Sequence, residues 1–264
     1  MVIDRIATYF GFSENNTSFK IETLAGVTTF MTMSYIIFVQ PAILGAAGMD
    51  KGAVMVATCI SSALATILMG LLTNYPIALA PAMGHNVFFA VIVCGIMGFT
   101  WEVALGAIFI SGMAFLLLTF FNAWGQIISA IPECLKHGIA VGIGLFISFI
   151  GLQYGGLVID TSGVLVGLGD LKSPPVMLTV IGVLITMGLY TKNIKGSILI
   201  GMLITCLVGI FLNVVSYSGI IAAVPHINPT FMKLDIAGAF EAGIITVIFV
   251  FFFLDVFDTM GTLI

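Results

Sequence analysis

Apolar stretches of about 20 residues, several with no Asp, Glu, Lys or Arg, recur from residue 24 almost to the last residue. Crossing a hydrocarbon core of about 30 Å takes roughly this many residues in a helix. Lipid offers the backbone no hydrogen-bond partners, so runs of this kind must be helical. Eight are expected, at residues 24–44, 53–72, 77–97, 103–121, 135–152, 175–190, 196–213 and from about 237 onward. The composition agrees, with 60% hydrophobic and only 8% charged residues, against about a quarter charged in ordinary soluble domains. The expected fold class is an all-α polytopic membrane protein.

The same composition excludes other classes. Net charge is −4 and there is no basic run, so no nucleic-acid partner is expected. Cys59, Cys94, Cys134 and Cys206 are scattered without ligand spacing and read as small packing residues, not metal or disulfide positions. The chain carries no HExxH, GxSxG or GxxxxGK[ST] signature, and so is expected to be neither an enzyme nor dependent on a cofactor. The first 23 residues lack the basic, apolar and small-residue regions of a signal peptide and read as a cytosolic lead-in. Arg5, Lys20, Lys136, Lys192 and Lys195 on one side, against Lys51, Lys172 and Lys233 on the other, favour an N-terminus inside the cell. Residues 122–133 mix Trp124, Ile127, Ile128 and Ile131 with polar neighbours, which suits an interfacial segment or, equally, an irregular loop. Residues 214–236 form the longest polar connection, read as an external loop. The ending FFFLDVFDTMGTLI has no polar tail or basic anchor, as expected of a chain cut within or just after its eighth helix.

Three acids fall in or near that last span: Glu241, Asp255 and Asp258. A carboxylate within a bilayer is tolerated mainly where it faces a bundle interior or polar cavity. Glu241 is placed near the helix start, where an acid suits the dipole. Asp255, Asp258 and Thr262 follow a three-then-four spacing and share one helix face. Close carboxylates in a low-dielectric site disfavour joint ionisation, which makes Asp255 and Asp258 proton-coupling candidates. The plainer reading is that both lie beyond the membrane edge as helix-end acids.

The third stretch, PIALAPAMGHNVFFAVIVCGIMG, is the other irregular place. Pro81 removes a donor, Gly84 loosens the chain, and His85 and Asn86 add polar groups, so a broken helix is expected, with a Pro-kinked packing helix as the alternative. Discontinuous helices near the midplane are the usual substrate sites of secondary transporters. Thr28, Thr29, Thr32 and Ser34 in the first span read first as hydroxyls returned to the backbone, and the Gly-rich run 138–151 as a packing surface.

ENNTSFKIETLAGVTTFMTMSYIIFVQPAIL, NYPIALAPAMGHNVFFA and FFFLDVFDTMGTLI together resemble the AzgA-like purine permeases of the nucleobase/ascorbate transporter superfamily, with further likeness at VALGAIFISG and GIGLFISFIGLQ. The resemblance spans residues 14–264. It implies fourteen membrane segments in two inverted repeats of seven, of which this chain holds the first repeat and the opening helix of the second. Residues 24–121 would then be core-domain helices one to four, 122–213 the interfacial segment and gate-domain helices five to seven, and 237–264 core-domain helix eight. Carried over by motif, Asp258 and Thr262 would face the base, Asn86 and Val87 would lie on a short extended piece passing the substrate, and Thr29 would sit nearby. His85 stands where the family commonly has an apolar residue, GMGLN against AMGHN here, which adds it to the substrate-side candidates. The implied activity is proton-coupled purine nucleobase uptake by alternating access in the cell membrane, with purine, proton and lipid as partners and a homodimer admitted. The alternatives are another small solute on the same fold, or a non-transporting membrane scaffold.

Overall fold

The computed structural model describes residues 2–121, 132–161, 164–215, 219, 223–241 and 244–263; for residues 2–4, 6, 133, 136, 140, 164, 165, 241 and 260–263 it describes the backbone alone. Of the candidate interfacial segment, 122–133, residues 122–131 lie outside the described residues. The helices are α1 Val2–Tyr9, α2 Phe19–Met33, α3 Ile36–Ala46, α4 Lys51–Thr73, α5 Met83–Val87, a π-helix Phe88–Ile96, α6 Trp101–Phe120, α7 Glu133–Tyr154, α8 Pro174–Thr191, α9 Ser197–Phe211, α10 Ile236–Glu241 and α11 Ile245–Leu263. Five helical stretches among the described residues are long and apolar enough to cross a membrane: Phe19–Ala46, Lys51–Thr73, Trp101–Phe120, His137–Tyr154 and Pro174–Thr191. Met83–Ile96 and Ser197–Phe211 are shorter apolar helices. The chain is a multi-pass, mostly helical membrane protein.

It is not all-α, as the sequence suggested. β1 Val158–Thr161 and β2 Val164–Leu168 pair antiparallel, Val158 opposite Leu168, between the fifth and sixth expected spans. The β-branched run VIDT and the apolar VLVGL favour strands.

The chain divides into two compact units, each described separately. The first comprises Met1–Phe38, Thr58–Ala80 and Gly155–Ala223. Its α2 begins earlier than expected because Ser18 caps it, accepting the Ile21 N–H, while Glu22 suits the first turn. α8 and α9 form a helical hairpin that approaches closely through small residues. A side chain at Gly201 would sit 2.1 Å from the Thr186 hydroxyl, and one at Gly182 2.7 Å from that of Thr205.

The second unit comprises Val39–Ala57, Pro81–Tyr154 and Val224–Ile264. Phe89, Phe251, Ile43, Ile244, Val93 and Val247 are its largest fully buried side chains. α6 packs against both α10 and α11. Any Cβ at Gly106 would lie 2.2 Å from the Asp235 carbonyl oxygen, so only glycine permits this approach. Asp235 also donates its N–H to Glu102 O at 2.9 Å and accepts the Gly238 N–H at 2.9 Å, capping α10.

The third stretch is broken, but in a different register from that implied by the resemblance. Residues 74–82 have no regular structure and α5 begins at Met83. Asn86 and Val87 are therefore helical, not extended. Pro76 and Pro81 lack N–H groups and restrict the residues before them, whereas no proline follows to prevent a helix from Met83. Thr66 meets the backbone of the irregular piece, accepting the Leu79 N–H at 3.0 Å. Beyond Val87 the backbone winds as a π-helix, visible in the Met97 N–H bonding Ile92 O at 2.8 Å. The last span also differs from expectation, since α10 ends at Glu241 and α11 begins at Ile245. Glu241 lies on α10, before the turn at residue 244, and its side chain lies outside the described residues.

Candidate functional site

The polar side chains of the second unit converge where α5 meets α11. α5 carries His85 and Asn86 directly after the irregular piece, and the middle of α11 carries Asp255 and, one turn on, Asp258. His85 Nε2 lies 2.9 Å from Asp255 Oδ1. The other carboxylate oxygen, Oδ2, accepts the Ser111 hydroxyl from α6 at 2.8 Å. Three elements thus meet at one carboxylate. The His85 ring stacks on Phe251, with centroids 6.3 Å apart and planes 10° from parallel, and Phe88 packs edge-on to the same Phe251 at 5.1 Å.

His85 is close to Asp255 but not well aligned with it. Both ring nitrogens are buried and neither makes a hydrogen bond of good geometry. The contact is therefore an electrostatic pairing, strongest when the imidazole is protonated. Asp255 lies in the middle of α11 and is held by partners from two other elements, with 30% of its side chain exposed. Asp258 is half-buried and lies near enough to feel the charges of both His85 and Asp255.

Beside this cluster, Asn86 donates its side-chain amide to Gln40 Oε1 of α3; both residues are 7% exposed. Val87 is buried in the apolar core. Thr262 lies on α11, but its side chain is outside the described residues. Thr29 belongs to the first unit, where its hydroxyl returns to Ala25 O at 2.9 Å. It lines a cavity of about 480 Å³ that α2 and α4 form with the irregular piece, together with Glu22, Ser34, Ser62, Tyr75 and Leu79.

Ser111, Gln40 and Thr66 were absent from the sequence-based candidates. A lone Ser in an apolar helix carries no signal beyond bonding its own backbone. A glutamine before a proline, as in VQPAIL, reads as a helix irregularity. Only the partner on a distant segment makes either residue distinctive.

The Xan_ur_permease family model, described as a permease family, matches residues 20–264. The chain belongs to this permease family. A putative permease of Methanocaldococcus jannaschii is 51% identical over 264 residues, covering all of this chain and 61% of the relative. The adenine permease AdeP of Escherichia coli is 44% identical over 255 residues, covering 97% of this chain and 57% of the relative. The guanine/hypoxanthine permease PbuG of Bacillus subtilis is 41% identical over 269 residues, covering 97% and 61%. The resemblance to the nucleobase/ascorbate transporter superfamily is thereby borne out. The family member spans about three-fifths of the length of these relatives.

Proposed function

We propose that this chain is part of a secondary transporter that takes up purine nucleobases together with protons by alternating access. The reading is carried by one conjunction: the Asp255 carboxylate of α11, held by His85 and Ser111, lies beside a broken helix, in a chain at least 40% identical to permeases named for adenine and for guanine/hypoxanthine. The substrate falls between those two purine classes.

The edge of a purine offers ring N–H donors and ring-nitrogen acceptors. Asp258 accepts ring N–H groups, Asn86 supplies amide donors and an acceptor, and Thr262, one turn beyond Asp258, adds a hydroxyl. Val87 is carried over from the motif, His85 joins it at the position where the family commonly has an apolar residue, and Thr29, in the first unit, is carried over by analogy alone. A purine that leaves a buried polar group unmatched loses about 1 to 3 kcal/mol, enough to discriminate among bases. Eight crossings in this chain, an inside N-terminus and residence in the cell membrane belong to the same proposal. So does the division into core helices (24–121 and 237–264) and gate helices (122–213), moving against one another about the substrate.

Uptake of labelled adenine, guanine, hypoxanthine and uracil by cells expressing the full-length protein tests this reading. Purine accumulation that collapses with a proton uncoupler is expected. Absence of purine uptake in cells where the protein reaches the membrane rejects the reading, and uptake of uracil alone assigns a different substrate to the same fold.

A further inference from the structure

His85 is the feature that the family resemblance leaves unexplained, and its surroundings give it a role. We infer that the coupled proton is carried by the His85–Asp255 pair, with Ser111 as the residue that positions the carboxylate; this rests on the transport reading above.

Joint ionisation of Asp255 and Asp258 beside a neutral His85 would place two negative charges among α5, α6 and α11; a proton on the imidazole leaves a net charge of one. Burial penalises net charge, so the proton-loaded cluster is the form suited to a closed interior. One proton enters at the imidazole when the site faces the acidic side and leaves from it when the site faces the alkaline side. Nothing else changes covalently. Ser111 is fully buried and binds Asp255 Oδ2, which keeps Oδ1 turned to His85. Phe251 lies nearly parallel to the imidazole, with ring centroids 6.3 Å apart. The pair also bridges the first helical turn after the break to α11, and gaining or losing the proton therefore changes the grip between the two elements flanking the candidate substrate site.

Other titratable groups on the elements packed around α5 are few. α11 contributes Asp255 and Asp258. The π-helix contributes Cys94, which lies near Glu102 of α6. α3, reached through Asn86, contributes the uncharged Gln40. α7 carries Glu133, Cys134, Lys136 and His137 at its start. They stand roughly 20 to 25 Å along the helix from Ile150, which packs on the core, and Tyr154 at the other end is exposed. His85 is thus the titratable cation among these elements that meets the Asp255 carboxylate.

The test uses the full-length protein in proteoliposomes, with labelled adenine and hypoxanthine, between about pH 5 and pH 8, where imidazole changes charge. Wild-type uptake should fall about tenfold per pH unit on the alkaline limb. His85→Gln and Asp255→Asn should each flatten that limb to a change of about twofold or less, and Ser111→Ala should displace it along the pH axis. Wild-type slopes in His85→Gln or Asp255→Asn overturn the inference. A readout independent of transport is the ¹⁵N resonance of His85 followed through the same pH range. Its midpoint should move in Asp255→Asn, and an unmoved midpoint overturns the pairing. If the wild type takes up no purine at all, the transport reading falls, and the resonance alone decides the pair.

Discussion

The two units handle the same problem, polar side chains in an apolar setting, with a different emphasis. In the first, hydroxyls turn back onto their own helices: Thr28 to Leu24, Thr29 to Ala25, Thr186 to Gly182 and Thr205 to Gly201, all four residues away at 2.7 to 2.9 Å. In the second, polar groups reach across the fold: Asn86 to Gln40, 46 residues away, and Ser111 to Asp255, 144 away. A locally satisfied hydroxyl asks nothing of tertiary structure and survives rearrangement of the helices. A carboxylate held by two other elements ties those elements together, so its loss is felt by all of them. Function is expected where the bonds are long-range.

The largest effect expected of this difference lies at Asp255. Asp255→Ala leaves the buried His85 without its nearby carboxylate and the Ser111 hydroxyl without its acceptor, which should be destabilising by about 1 to 3 kcal/mol. Thermal unfolding of the purified full-length protein in detergent should show a clear drop in Tm. An unchanged Tm would erase the contrast between the units. Next is Asp258→Asn, which removes a charged acceptor for the base. A hydrogen bond to a charged group contributes about 1.5 to 3 kcal/mol, so uptake should fall by roughly 10- to 150-fold with membrane insertion intact. Full activity would move the substrate site off α11.

Thr66 sharpens the comparison because, like Tyr9 and Thr179, it reaches beyond its own helix within the first unit. Its hydroxyl reaches thirteen residues along the chain to Leu79, meeting backbone that the proline-rich break leaves without helical partners. Thr66→Val keeps the shape and strands that backbone, at about 1 to 3 kcal/mol for an unmatched buried group. Faster amide exchange at residues 75–80 is the expected result, and exchange at the wild-type rate would show that the irregular piece is held by its prolines alone.

What was readable from sequence follows the range of the interactions. Long apolar runs identify membrane helices because the bilayer acts on each one separately, and Pro81 with His85 and Asn86 marks the break because proline acts on its own backbone. The acids on α11 stand out since a charge in such a run is expensive wherever it sits. Ser111 and Gln40 gave no such signal, because their importance resides in a partner many residues away. The register of the break was misjudged for a related reason. Where a helix restarts after Pro81 depends on local donors, and the resemblance supplied a position without that accounting. The β1–β2 pair was passed over among apolar helices, though its β-branched residues are an ordinary strand signal.

The smallest effect is expected at Thr205. Its hydroxyl donates to Gly201 O at 2.7 Å within its own helix, and its body fills the notch that Gly182 opens in α8. Thr205→Val preserves that body and deletes only the hydroxyl, while the carbonyl it served keeps the helical bond from the backbone. Polar contacts between membrane helices average about 0.6 kcal/mol, and a bond within one helix should not exceed that. Uptake and Tm should therefore remain close to wild type. A loss comparable with that of Asp255→Ala would mean that this hydroxyl serves more than its own helix, and the division between locally and distantly satisfied polar groups would no longer separate structure from function.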